Sequence, residues 1–457
     1  MPTMKTLPLC LLSISCFALA ATGETAAERY AAYLARGIKT PETSKFFQRH
    51  EDPESHVVSW IIKPGLTAHN QQSCYFTTKS MTDDGRFLMF HRVNDELDRK
   101  VTHAKRLAVI DFLTDTLIPL DDVRALPFAD VETDQIWYIK DDGICRRDLL
   151  VDPQKEIRVC DIPAALRPTA SERRSFYWAT HLTLTADRKK AFLDPDVSVS
   201  RDFYEDSLSR QVLLDLTDGT YEIWGEQNYW VNHGQLHPTN PRLAMCAYEG
   251  CSKKWVTDGK GGRQRVPRPA DEVYPRLLLC EPGRLTCVPS KIVNYATHEH
   301  WAADGKGFYW CASGVQYCDL ATGRQTTICP LVTAHATMTA DHRYVTGDLS
   351  WGGWWRGCGW GTHFWNRDAH RGVKIHTKRP VYAPQDKPSN IHPDPHPQFV
   401  CADRYVLCTM NVKDHQLTTS LTPVSELVRM TTTDATPIVP KRIPLEWNPN
   451  RDVSVTY

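Results

Sequence analysis

Histidine is the side chain best able to exchange a proton or hold a metal ion near neutral pH. This chain sets its histidines in short segments that recur along its length. Five stand out: His69-Asn70-Gln71-Gln72, Asn232-His233-Gly234-Gln235, Thr297-His298-Glu299-His300-Trp301, Ala334-His335-Ala336 and Ile391-His392-Pro393-Asp394-Pro395-His396-Pro397. A neutral imidazole can take a proton from carbon. Two or three imidazoles with a carboxylate can bind a divalent transition metal. One such histidine alone reads as a satisfied, partly buried side chain. Five at matching points of a repeat read as a functional cluster. Other chemistries lack their signatures. The sequence has no G-x-S-x-G elbow, no P-loop and no C-x-x-C pair, and His298-Glu299-His300 lacks the helical spacing of H-E-x-x-H. A glycosidase pair of carboxylates stays open, because any two acidic residues can meet in space.

The elements that must position these histidines repeat too. A small or polar residue precedes a turn of Asp, Asn or Gly, then a basic residue, then an apolar strand. Copies occupy residues 81–90, 128–138, 184–193, 236–245, 301–310, 338–345 and 399–407. The turn residues reverse the chain and the apolar run suits a half-buried strand. Seven copies at this spacing predict seven four-stranded blades. A single such sheet cannot bury both faces, whereas blades packed around an axis bury them and leave only short edges. The expected fold is therefore all-β, a single-domain seven-bladed β-propeller over residues 46–457. Residues 26–35 are expected to be a helix within a lead-in over residues 21–45. Each histidine segment lies roughly four to fourteen residues before its turn, so the imidazoles are expected to converge at one mouth of the central channel.

Composition narrows the partners. The 457 residues carry 54 basic and 54 acidic side chains. A net charge of zero gives no support for a nucleic-acid or membrane-surface partner. Lys5, the apolar run over residues 7–20 and Ala18-Leu19-Ala20 read as a cleaved signal peptide over residues 1–20, so a periplasmic or secreted protein is expected. The run is too short to span a membrane. Removal of Cys10 and Cys16 leaves an odd number of cysteines, thirteen of the fifteen. Cys280 with Cys287 and Cys311 with Cys318 are either disulfides across hairpins or small buried hydrophobes. The segment Trp351-Gly352-Gly353-Trp354-Trp355-Arg356 either stacks on sugar rings or packs on the propeller rim.

The segments Thr297-His298-Glu299-His300-Trp301-Ala302-Ala303-Asp304-Gly305, Ala334-His335-Ala336-Thr337-Met338 and His392-Pro393-Asp394-Pro395-His396-Pro397-Gln398-Phe399 resemble, in order and approximate spacing, the oligogalacturonate lyases. These are the β-propeller polysaccharide lyases of family twenty-two. Cys74-Tyr75-Phe76-Thr77-Thr78-Lys79 and Asn232-His233-Gly234-Gln235 support the likeness, which spans about residues 60–412. The resemblance implies β-elimination of uronate-containing oligosaccharides with a bound divalent metal, usually manganese. It implies His298 as the base, His335 and His396 as metal ligands, and Arg276 as a substrate-binding residue. The sequence departs from the family at the last motif. There the remaining ligand is either Asp394 or His392, Asn390 is a distant candidate, and Ile391 stands at the family's glutamine. Tyr248 replaces a histidine and is a candidate to bind substrate or act as proton donor, and His233 is a candidate to bind substrate. These departures leave other readings open: a lyase for another uronate polymer, ulvan-like or rhamnose-linked, or a propeller that binds sugar without cleaving it. Oligomeric state is not legible.

Overall fold

The computed structural model describes residues 25–66, 70–93, 105–123, 127–166, 175–198, 207–227, 229–249, 253–257, 263–267, 275–290, 296–312, 314–348, 361–378, 380, 394–413 and 415–434. Seven antiparallel sheets form the ring of a seven-bladed β-propeller. Numbered in chain order, the blades have as inner strands Asn70–Gln72, Phe128–Asp130, Thr183–Leu184, Val231–Leu236, Thr297–Trp301, Ala336–Met338 and Gln398–Val400. Each inner strand runs into its second strand through one of the seven repeat turns. The weakest copy, at residues 128–138, joins Phe128–Asp130 to Gln135–Lys140 like the others.

The turn chemistry explains why the motif recurs. In blades 1, 3 and 6 a threonine hydroxyl donates to an aspartate two residues on: Thr82 to Asp84 at 2.7 Å, Thr185 to Asp187 at 2.6 Å, Thr339 to Asp341 at 2.6 Å. The same carboxylates accept the backbone N–H of Arg86, Lys189 and Arg343. The residue between takes a left-handed backbone, as at Gly85, Arg188 and His342. Short acidic side chains compete for backbone donors in this way and so fix turns.

Facing blades share apolar layers. Phe87, Met89, Leu107 and Val109 of blade 1 pack with Ile136, Tyr138 and Cys145 of blade 2, all buried. Burial of each large side chain stabilises the fold by roughly 1.5–3 kcal/mol. The ring closes by mixing chain ends. Phe47–Glu51 and Val58–Ile62 extend the last blade, with Trp60 opposite Leu421 and Ile61 opposite Ser420. The expected helix is present as Ala26–Ala35, opened by a capping box of Thr25 and Glu28. It covers the turn end of the ring, where Arg29 reaches Asp84 at 3.1 Å. A second short helix, Val424–Arg429, was not anticipated. No described helix is long and apolar enough to cross a membrane.

Of the four paired candidates Cys280, Cys311 and Cys318 are buried and Cys287 is exposed. Every described cysteine is a free thiol. The register explains why the suggested bridges do not form: Cys280 faces Leu285 while Cys287 faces Leu278, and Cys311 faces Val315 while Cys318 faces Phe308. The first pair is offset by two positions and the second by three, so the sulfurs are not opposed.

Candidate active site

The inner strands begin at one mouth of the channel and end at the repeat turns. The histidines stand at their beginnings. His298 lies six residues before Asp304, as His335 lies six before Asp341. His181 lies six before Asp187 and enters the cluster with them, its ring 5.4 Å from that of His233. The five segments did not include His181, yet its offset from the turn is the same.

Local backbone aims the rings. His233, His298 and His396 have φ of 54°, 52° and 46°. Two of them sit in bulges, between Asn232 and Gln235 and between Thr297 and His300. Non-glycine residues adopt this left-handed backbone at a cost of about 1–2 kcal/mol, and bulges re-aim side chains next to functional sites. Two residues later the strands lock together. Gln235 accepts from His300 Nδ1 at 3.1 Å and donates to the Glu299 carbonyl at 2.9 Å.

One group has the donors of a metal site. His335, Asp394 and His396 are all buried, and their ligand atoms lie within 4.8 Å of one another. Asp394 Oδ2 is 3.8 Å from Nε2 of His335 and 3.8 Å from Nε2 of His396. Of the two ligands left open by the sequence, Asp394 stands in this group. His392, with Asn390 and Ile391, lies outside the described residues, as do His69, residues 1–20 and the tryptophan segment at 351–360. The donor set fits a divalent transition ion. A further residue supports the fit. The fully buried carboxylate of Asp348 accepts from His335 Nδ1 at 3.0 Å, which leaves Nε2 to face Asp394. It also accepts the backbone N–H of His335 at 2.9 Å and of His396 at 3.2 Å. Such carboxylate–imidazole pairs fix the tautomer and orientation of metal-binding histidines. Burial disfavours charge on His335, but Asp348 and Asp394 outweigh it and raise its pKa above the ordinary imidazole value.

His298 stands beside this group, its ring centroid 4.0 Å from that of His335. Its Nδ1 is 3.1 Å from the Thr297 hydroxyl. Burial, followed by the nearby His335, Arg276 and His233, pushes its pKa well below the usual imidazole range. The ring is therefore neutral at ordinary pH and able to accept a proton.

A charged clamp lies next to it. Arg276 Nε donates to Glu299 Oε2 at 3.0 Å, and its Nη1 lies 2.9 Å from Glu249 Oε1. His233 Nδ1 is 3.1 Å from Glu299 Oε1. Burial alone would raise the Glu299 pKa, but Arg276 and His233 hold it at about 2. Arg276 is thus engaged by two carboxylates, which the sequence did not foretell. Tyr248 lies at the same mouth one strand outward, its ring 4.4 Å from that of Tyr229.

Tyr75 and Phe76 of blade 1 project into the centre. Tyr75 stacks on His181 at 5.0 Å and meets His396 edge-on at 4.8 Å. Phe76 contacts His335 at 5.2 Å and His298 at 6.0 Å. Beyond Phe76, toward the turns, opens a cavity of about 360 Å³ lined by Thr77, His300, Trp301 and Gln398 among others. That cavity does not include His335, Asp394 or His396, so the concave space and the metal-type donors lie on opposite sides of Phe76.

Comparison with known proteins supports the architecture. An oligogalacturonate lyase solved in complex with manganese superposes with a TM-score of 0.63 at 18% identity, covering 84% of this chain and 97% of that one. This chain has an oligogalacturonate lyase fold. An oligogalacturonate lyase from Vibrio parahaemolyticus superposes with a TM-score of 0.62 at 16% identity, covering 83% of this chain and 97% of that one. No family model and no curated protein matches the sequence. Likeness at this identity is a likeness of fold, and the chemistry must be argued from the site.

Proposed function

We propose that this protein is an exported, metal-dependent lyase that cleaves uronate-containing oligosaccharides by β-elimination. The observation that carries the reading is the placement of His335, Asp394 and His396 within coordinating reach of one another, with the neutral His298 beside them. The manganese of the structural neighbour and the oligogalacturonate in its name favour manganese and an oligogalacturonate-like substrate.

Elimination removes a weakly acidic proton from C5 of a uronate while charge builds on the adjacent carboxylate. A divalent ion held by His335, Asp394 and His396 would stabilise that charge. With Nδ1 donating to the Thr297 hydroxyl, Nε2 of His298 carries the lone pair that takes the C5 proton. Arg276 presents Nη1 beside the partly exposed Glu249, where a substrate carboxylate would exchange for that side chain. His233 braces Glu299 behind Arg276, and Tyr248 extends the substrate surface at the same mouth.

The test is metal content of the purified protein, together with ultraviolet absorbance of the unsaturated product on a panel of uronate oligosaccharides. Near-stoichiometric metal with chelator-sensitive absorbance growth is expected. Bound metal without product from any uronate would instead favour a sugar-binding propeller.

A further inference from the structure

Elimination needs two proton transfers. The base takes one from carbon, and the oxygen that leaves must gain one. Tyr248, the sequence's candidate donor, lies one strand outward with its ring 4.4 Å from that of Tyr229, so the centre as described so far supplies only the first. We propose that the hydroxyl of Tyr75 supplies the second, making Tyr75 a catalytic residue. This inference rests on the β-elimination reading of the same site.

The placement of Tyr75 carries the argument. Its ring is fixed by histidines: stacked on His181 with an interplanar angle of 16°, and edge-on to His396 and His335 at 4.8 and 5.8 Å. Its backbone is fixed as well. The Tyr75 carbonyl accepts from Gln398 Nε2 at 2.9 Å and from the Thr78 N–H at 2.8 Å. Against this bracing, the hydroxyl has no hydrogen-bond partner among the described residues. A fixed ring with an uncommitted phenol is a poor structural device, because a packed phenylalanine would serve as well.

Tyr75 is partly exposed and does not line the cavity beyond Phe76. It lies among Glu299, Arg276, Asp394 and Glu249, between the metal-type donors and the arginine clamp. Both His298 and Tyr75 contact His335, at 4.0 and 5.8 Å between centroids. A sugar ring lying over His335 would meet both.

The step balances. His298 takes the C5 proton, and that electron pair forms the double bond between C4 and C5. The C4–O4 bond breaks, and O4 leaves with the Tyr75 hydroxyl proton. Solvent then reprotonates the phenolate and takes the proton from His298.

The experiment compares wild type with Tyr75→Phe on two substrates: an oligogalacturonate, and a galacturonate bearing a nitrophenyl group on O4. A nitrophenolate leaves without needing a proton. On the oligosaccharide, Y75F is expected to lower kcat by about 10²–10⁴-fold, with KM and metal content unchanged. On the aryl substrate most of that loss should disappear. An equal loss on both substrates, an unchanged kcat, or a loss that tracks metal content would overturn the proposal. Wild type inactive on every uronate would overturn the lyase reading itself and this inference with it. An active wild type with an unaffected Y75F would overturn only the role of Tyr75.

Discussion

The two mouths of the channel are built from opposite ends of the same seven inner strands, and they obey different rules. At the turn mouth blades 1, 3, 5 and 6 repeat one solution: an aspartate accepts the backbone N–H two residues on, and a glycine or a tolerated residue takes the left-handed position between them. At the histidine mouth the blades diverge. Two carry bulges, three carry histidines in a left-handed backbone, and one contributes Asp394. The regular end makes the ring and the irregular end makes the site. At the histidine mouth the left-handed backbone aims side chains, and the surrounding ring over-determines the fold enough to hold it.

Substitutions can break this contrast. His298→Ala is expected to lower turnover by about 10²–10⁴-fold with bound metal retained, read by product absorbance and metal analysis. His298→Gly should be equally inactive but melt higher than H298A by the equivalent of about 1 kcal/mol, because glycine relieves the left-handed backbone. If the two variants melt alike, the strain argument fails. Asp348→Asn should weaken metal binding by about 10–100-fold in a calorimetric titration, with the fold intact.

Glu299→Gln sharpens the contrast through stability. It leaves Arg276 and His233 facing a neutral group, and should cost about 3 kcal/mol at neutral pH in a denaturant titration. The folded-state pKa of Glu299, about 2, lies below its ordinary value of 4.5. Its stabilisation is therefore complete above about pH 4.5 and is lost as pH falls through about 2. The difference between E299Q and wild type should shrink in the same direction. The smallest effect belongs to the turn mouth. Gly305→Ala places a Cβ 2.6 Å from His237 Cε1 at a φ of +68°. It should cost about 1–2 kcal/mol of stability and leave kcat unchanged. A changed kcat would mean that the two ends are coupled.

Much of this was legible in the chain because it is local. The seven turns announce themselves through side chains that bond their own backbone within a few residues, and blade number follows from counting them. The capping box of Thr25 and Glu28 marks the first helix in the same way. The convergence of His298, His335 and His396 was legible because equivalent points of a repeat share an axis.

What the sequence could not show depends on which surfaces meet. Asp348 is one aspartate at a strand end, and only packing puts its carboxylate against His335 and the His396 N–H. Glu299 and Glu249 look like ordinary charges until Arg276 is brought between them. Tyr75 reads as an apolar residue before a turn until the ring closes and sets it against histidines from blades 3, 6 and 7. The failure of the cysteine pairs to face each other rests on register. Local hydrogen bonding and periodicity determined the propeller from the sequence alone. The partners of each buried charge were decided by tertiary structure, because a charge removed from water takes whatever opposite group the packed blades place within reach.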